Sequence, residues 1–178
     1  NRTIIQVDPA GGKTLIDIMN NNVASDCFGK VVDGSWSLCY GPTDAVPAEE
    51  KPDLVSYDDF VDSIYPKPPG MDKLSSTEAA EVWAEVSGRR RHLKKVFTHS
   101  GEPGEEFQPF VQKQLELMRV PGTDEEYYVI PAFFKTLNTL CEAGVDFAVI
   151  IRTFGHDLPQ VLVDIKKFVS GQHSYKCH

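Results

Sequence analysis

The chain has 178 residues, 41% of them hydrophobic, with a formal net charge of −8 and a pI near 5.1. That length and composition suit one compact domain, or a core with a smaller insert, and argue against wholesale disorder. The acidic balance excludes nonspecific binding to a nucleic-acid backbone, and no stretch approaches the roughly 18 apolar residues of a membrane span, so neither nucleic acid nor membrane is an expected partner.

Thr3 to Val7 is a short β-prone run, and Asp8 to Gly12 reads as a turn. Lys13 to Val23 predicts a helix with Leu15, Ile16, Ile18, Met19 and Val23 on its apolar face. Asn20, Asn21 and Asn22 weaken its end, because asparagine competes for backbone groups. Trp36 to Tyr40 reads as a strand between Gly34 and Gly41, and residues 42–56 as mostly loop. Ser56 and Asp59 predict a capped helix carrying Tyr57, Phe60, Val61, Ile64 and Tyr65, which Pro66, Pro68, Pro69 and Gly70 terminate. Ser75 and Glu78 fit a capping box for a helix through Ala79, Val82, Trp83 and Val86, with Gly88 interrupting the pattern. A further helix holds Phe107, Phe110, Val111, Leu115 and Met118, and Pro121 and Gly122 close it. Tyr127 to Ile130 reads as a short strand.

Val129 to Gly171 has the grammar of a helix, a buried strand and a second helix. Pro131 suits a first helical turn, Phe133, Phe134, Leu137, Leu140 and Cys141 recur at helical spacing, and Gly144 supplies a left-handed stop. Phe147 to Ile151 is apolar without alternation, the pattern of a strand covered on both faces in a parallel sheet. It ends in Arg152-Thr153-Phe154-Gly155-His156-Asp157, and a helix follows with Pro159 near its start and Leu162, Ile165, Phe168 and Val169 on one face. Ligands of open α/β sheets bind beyond the carboxyl ends of strands, which makes Thr153 the first candidate site residue. Residues 20–126 are by contrast mainly helical with several proline breaks, as expected of a cap inserted into a sheet domain.

Several local patterns have ordinary explanations. Ala10-Gly11-Gly12-Lys13-Thr14 suggests a phosphate-binding P-loop, but Val7 stands where its first glycine belongs and Pro9 removes a backbone donor. A turn leading into a helix is the better reading; a P-loop would predict nucleotide binding lost on Lys13→Ala. No G-x-S-x-G is present, and none of the five histidines has a compelling local partner for serine-hydrolase chemistry. Asp157 reads as a helix N-cap, and Asp58, Asp59 and Asp62, like Glu125 and Glu126, as charged surface. Arg89-Arg90-Arg91-His92 with Lys94 and Lys95 reads as a solvated helix end, a phosphate- or partner-binding role being the alternative. Cys27, Cys39, Cys141 and Cys177 show neither CxxC spacing nor a compact disulfide framework, so reduced thiols in a cytoplasmic protein are expected. Cys177 and His178 are too few for a zinc site. Asn1-Arg2-Thr3 formally matches a glycosylation acceptor, with nothing else suggesting secretion.

Asn1-Arg2-Thr3-Ile4-Ile5 also resembles the tail of the first motif of the haloacid dehalogenase (HAD) superfamily, hhhhDxDx[TV], here in a D-x-N-R-T form. Pro131 to Gly155 is similar to that superfamily's second-motif region, in which a helix opened by Pro and carrying L-x-x-L-x-x-x-G, here Pro131, Leu137, Leu140 and Gly144, leads into a buried strand ending in Ser or Thr, here Thr153. The resemblance covers residues 1–5 and 129–171, in the correct order. It implies an α/β fold, a Rossmann-type three-layer core with a parallel sheet built from residues 1–19 and 127–178, and a helical cap over 20–126. It also implies a magnesium-dependent phosphohydrolase or phosphotransferase acting on a phosphorylated small molecule. An aspartate two places before Asn1 would attack the phosphoryl group, Thr153 would hold its oxygens, Asn1 would offer its main-chain carbonyl to Mg2+, and Thr3 would support the loop. The chain thus reads as truncated at both ends, with later motifs beyond His178. The alternative is a noncatalytic HAD-like protein that binds a phosphorylated ligand or a protein partner.

Overall fold

The structure, a computed structural model, describes residues 4–5, 13–152 and 157–175. Among these residues it is mixed α/β, with six α-helices and one three-stranded antiparallel sheet. The chain forms two compact units, one of Asn1–Leu15 with Gln114–His178 and the other of Ile16–Lys113.

The sheet belongs to the second of these units. β1 (Phe28–Val32) and β2 (Ser35–Tyr40) make a hairpin closed by Asp33 and Gly34, both at positive φ, as a tight two-residue turn between twisted strands requires. β3 (Val55–Ser56) pairs antiparallel on the other edge of β1. A register shift at Phe28/Gly29 brings the chains close, and a Cβ on Gly29 would lie 2.2 Å from the Ser37 carbonyl oxygen. The described sheet is therefore antiparallel, where a parallel one was expected, and it lies in the stretch read as helical cap.

Around it, α1 (Leu15–Asp26) runs past the asparagines that were expected to weaken it. Asn20 is buried; its Nδ2 donates to the Ile16 carbonyl and its Oδ1 accepts from the Thr98 hydroxyl, so the amide is satisfied without opening the helix. α2 (Tyr57–Ile64) starts at Ser56, whose hydroxyl accepts the Asp59 N–H at 3.0 Å. α3 (Ser76–Val96) starts with the complete Ser75/Glu78 capping box. It continues through Gly88, since one helical glycine costs only about 1 kcal/mol against a helix of 21 residues. α4 (Gln108–Leu117) follows a 3-10 turn at Glu105–Phe107. The centre of this unit is aromatic: Phe97 lies 4.4 Å from Tyr57 and 6.0 Å from Trp36 between ring centroids. Burial pushes the Tyr57 phenol and the Cys27 thiol each up to about 12, so neither ionises near neutral pH.

In the other unit, α5 (Pro131–Glu142) and α6 (Leu158–Val169) frame a core of Val129, Phe134, Val161 and Phe168. Both helices end in the same way. Gly144 and Gly171 take positive φ, the Val145 N–H returns to the Leu140 carbonyl, and the Gln172 N–H returns to that of Lys167. Of the expected face of α6, Phe168 is buried and Ile165 packs against the core, whereas Leu162 and Val169 are exposed and Val161 and Asp164 are buried in their place.

Phe147 to Ile151 forms no strand. Residues 141–150 are exposed, Ile150 at 90%, and among the described residues no neighbouring chain pairs with the run. A strand needs partners for its backbone groups as well as apolar side chains, and only the second requirement is written in this segment. Tyr127 to Ile130 likewise contributes an isolated antiparallel bridge, Val129 with Ile5, in place of a strand.

Candidate functional site

Asn1, Thr3 and Thr153 lie outside the described residues, as do Val7 to Gly12 of the glycine-rich turn, His156, and Cys177 with His178. The residues flanking the two motif fragments are described. Ile4 and Ile5, next after Thr3, pack against the Val129–Phe134–Val161–Phe168 core, and so does Ile151, two places before Thr153. The Ile130 N–H donates to the Ile4 carbonyl at 2.8 Å, which ties the first fragment to the entry of α5.

Two carboxylates on the far side of the 153–156 segment bind back to the same strand-like stretch. Asp157 stands at the N-cap position of α6 without a capping bond; its carboxylate accepts the Tyr128 hydroxyl at 2.8 Å instead. Asp164, one helical face further on, is buried and accepts the Val129 N–H at 3.2 Å. Asp164 thus takes the place of a ladder partner for the Val129 N–H, while Asp157 holds the Tyr128 side chain. Burial first, and the Asp157 hydrogen bond second, push the Tyr128 phenol up to about 12, which keeps it a donor throughout the physiological range. Tyr128→Phe should therefore cost about 1 kcal/mol in urea denaturation by leaving Asp157 without its donor. An unchanged midpoint would show that the bond carries no stability.

Arg89, Arg91, His92 and Lys95 of the basic cluster are exposed, as expected of a solvated helix end, while Arg90 and Lys94 are drawn into internal pairs. Arg90 pairs with Asp62 at 3.0 Å and donates to the Tyr65 carbonyl at 2.8 Å, so a cation from α3 covers the carboxyl end of α2. Lys94 lies 2.7 Å from both Asp58 and Asp62, Lys95 pairs with Asp17 and Arg89 with Glu85. Arg90 also stacks 5.1 Å from the Trp83 ring. Asp58 and Asp62 thus form ion pairs between helices, a role beyond the open charged face read from their spacing. Among the described residues, no group of three or more His, Cys, Asp or Glu side chains could hold a metal ion, and no helix is long and apolar enough to cross a membrane.

Sequence reasoning passed over Tyr128, Asp164 and His173. The signal available for Asp164 was a carboxylate at an apolar spacing, three residues after Val161 and four before Phe168. Comparison with protein-family models, with curated proteins and with solved structures gave no match for this chain.

Proposed function

We propose that the chain is part of a HAD-like phosphohydrolase or phosphotransferase acting on a phosphorylated small molecule in the cytoplasm. The observation that carries this reading is the convergence of Ile4, Ile5 and Ile151 on one core, because these residues adjoin the two motif fragments. By the resemblance, Asn1-Arg2-Thr3 and Thr153 would serve one phosphoryl group. The bond from Tyr128 to Asp157 supports it, since it anchors the far end of the segment that carries Thr153.

On this basis the Thr153 hydroxyl donates to a phosphoryl oxygen, and Tyr128 acts as a positioning residue for that segment. Mg2+, when bound, would screen the repulsion between an anionic nucleophile and the phosphate. By the resemblance, Asn1 would offer it a main-chain carbonyl. Phe147 to Ile151 would become a parallel strand of the HAD-like core when a neighbouring strand covers it. Thr153→Ala in the full gene product should lower turnover of an aryl phosphate about 100-fold, the scale of removing one donor to a transition-state oxygen. Unchanged turnover would reject Thr153.

A second reading is favoured by the exposed run Val145, Phe147, Val149 and Ile150, together with Leu162, Val163 and Val169 on α6. A noncatalytic HAD-like protein that docks a protein partner would display exposed apolar side chains of this kind too. Absence of magnesium-dependent phosphatase activity in the full gene product would select this second reading.

A further inference from the structure

His173 is buried, 7% exposed, in the turn that follows α6. The left-handed Gly171 and the bonds from the Gln172 and His173 N–H groups to the Lys167 carbonyl fold that turn back over the helix end. The imidazole then meets Phe134 at 4.2 Å, Tyr127 at 5.3 Å, Tyr175 at 5.8 Å and Phe168 at 6.2 Å between ring centroids. Its Nδ1 accepts the Tyr175 N–H at 3.1 Å, which puts the proton of the neutral ring on Nε2. That Nε2 is buried and has no hydrogen-bond partner among the described residues.

A second proton could go only to Nδ1. There it would turn an acceptor into a donor facing the Tyr175 N–H, and it would place a charge among four aromatic rings. We propose that residues 170–175 form an acid-released latch, held shut by neutral His173 and freed when the ring takes up a proton. Release would uncover the faces of Phe134 and Phe168 on which the imidazole rests.

The charged and titratable groups around the ring act in both directions. Asp164 on α6 favours the imidazolium and Lys167 on the same helix opposes it, while Tyr127 and Tyr175 contribute neutral phenols. Lys135 of α5 sits 5.7 Å from the Tyr175 ring. Burial is the largest effect and holds the imidazole below its ordinary 6.5. The released turn, being solvated, keeps that ordinary value. The latch is therefore at full strength above about 6.5 and weakens as the pH falls towards the value of the closed ring, below which it changes no further.

Hydrogen exchange on the whole chain, corrected for intrinsic rates, tests this between pH 7.5 and 5.5. Protection of the Gln172 amide should fall by up to about tenfold in the parent chain, the ratio set by one pH unit below the released-state value. His173→Phe should hold its protection constant over the same range. Loss of protection in both chains, or in neither, would overturn the latch. If the variant does not fold, the NMR titration of the His173 ring in the parent chain decides. A midpoint below 6.5 that coincides with loss of protection supports the latch, and titration with the turn still protected refutes it.

Discussion

Phe97→Ala is expected to destabilise the chain by about 3–5 kcal/mol, seen as a lower midpoint and an unchanged slope in urea denaturation monitored by tryptophan fluorescence. The side chain is fully buried, and its ring contacts both Tyr57 and Trp36. It also lies directly over Gly104, where a Cβ would stand 2.3 Å from Phe97 Cε1, so no neighbouring side chain can move in from that direction. A cavity that cannot collapse carries the upper part of the cost. Next to it, the Thr98 hydroxyl donates to Asn20, so displacement of residue 97 would also disturb a buried polar pair. A loss below about 1 kcal/mol would mean that this aromatic centre is not the core of its unit.

Phe134→Ala should have an effect of similar size, about 3–5 kcal/mol, confined in hydrogen exchange to α5, α6 and the turn after it. The four-residue core to which Phe134 belongs is small, and its ring touches Phe168 at 4.9 Å, Phe133 at 5.4 Å and His173 at 4.2 Å. Removing it takes the floor from under the latch as well as the contact between α5 and α6. Full protection of α6 in the variant would contradict the packing described here.

Local signals were legible in the sequence and distant ones were not. Ser56 and Ser75 could be read as caps because the groups that they satisfy lie three residues away. Pro131 and Gly144 bound α5 for equally local reasons. The second strand of the hairpin is legible as Trp36 to Tyr40, but β1 is not, although Asp33-Gly34 carries the turn signal, because its FGKVV run mixes glycine and lysine into the apolar pattern. Phe168 and Ile165 of the α6 face are legible from their spacing, but Asp164 is not, because the partner that makes its burial tolerable, the Val129 N–H, is 35 residues away. The same distance problem governs Phe147 to Ile151: an apolar run states a demand for cover, and nothing within the run states what covers it. For the site, sequence reasoning chose residues outside the described part of the chain. Ile4, Ile151 and Asp157 are legible only as members of a motif tail, an apolar run and a helix cap; that Ile4 and Ile151 share a core and that Tyr128 binds Asp157 depends on residues distant in the chain.

The most direct measurement is phosphate release from an aryl phosphate by the full gene product, with and without Mg2+, joined to identification of any phosphorylated side chain after acid quench. Magnesium-dependent turnover with an acyl phosphate on an aspartate two places before Asn1 is the result predicted. A different residue at that position, or turnover indifferent to Mg2+ with no phosphoenzyme, would contradict it.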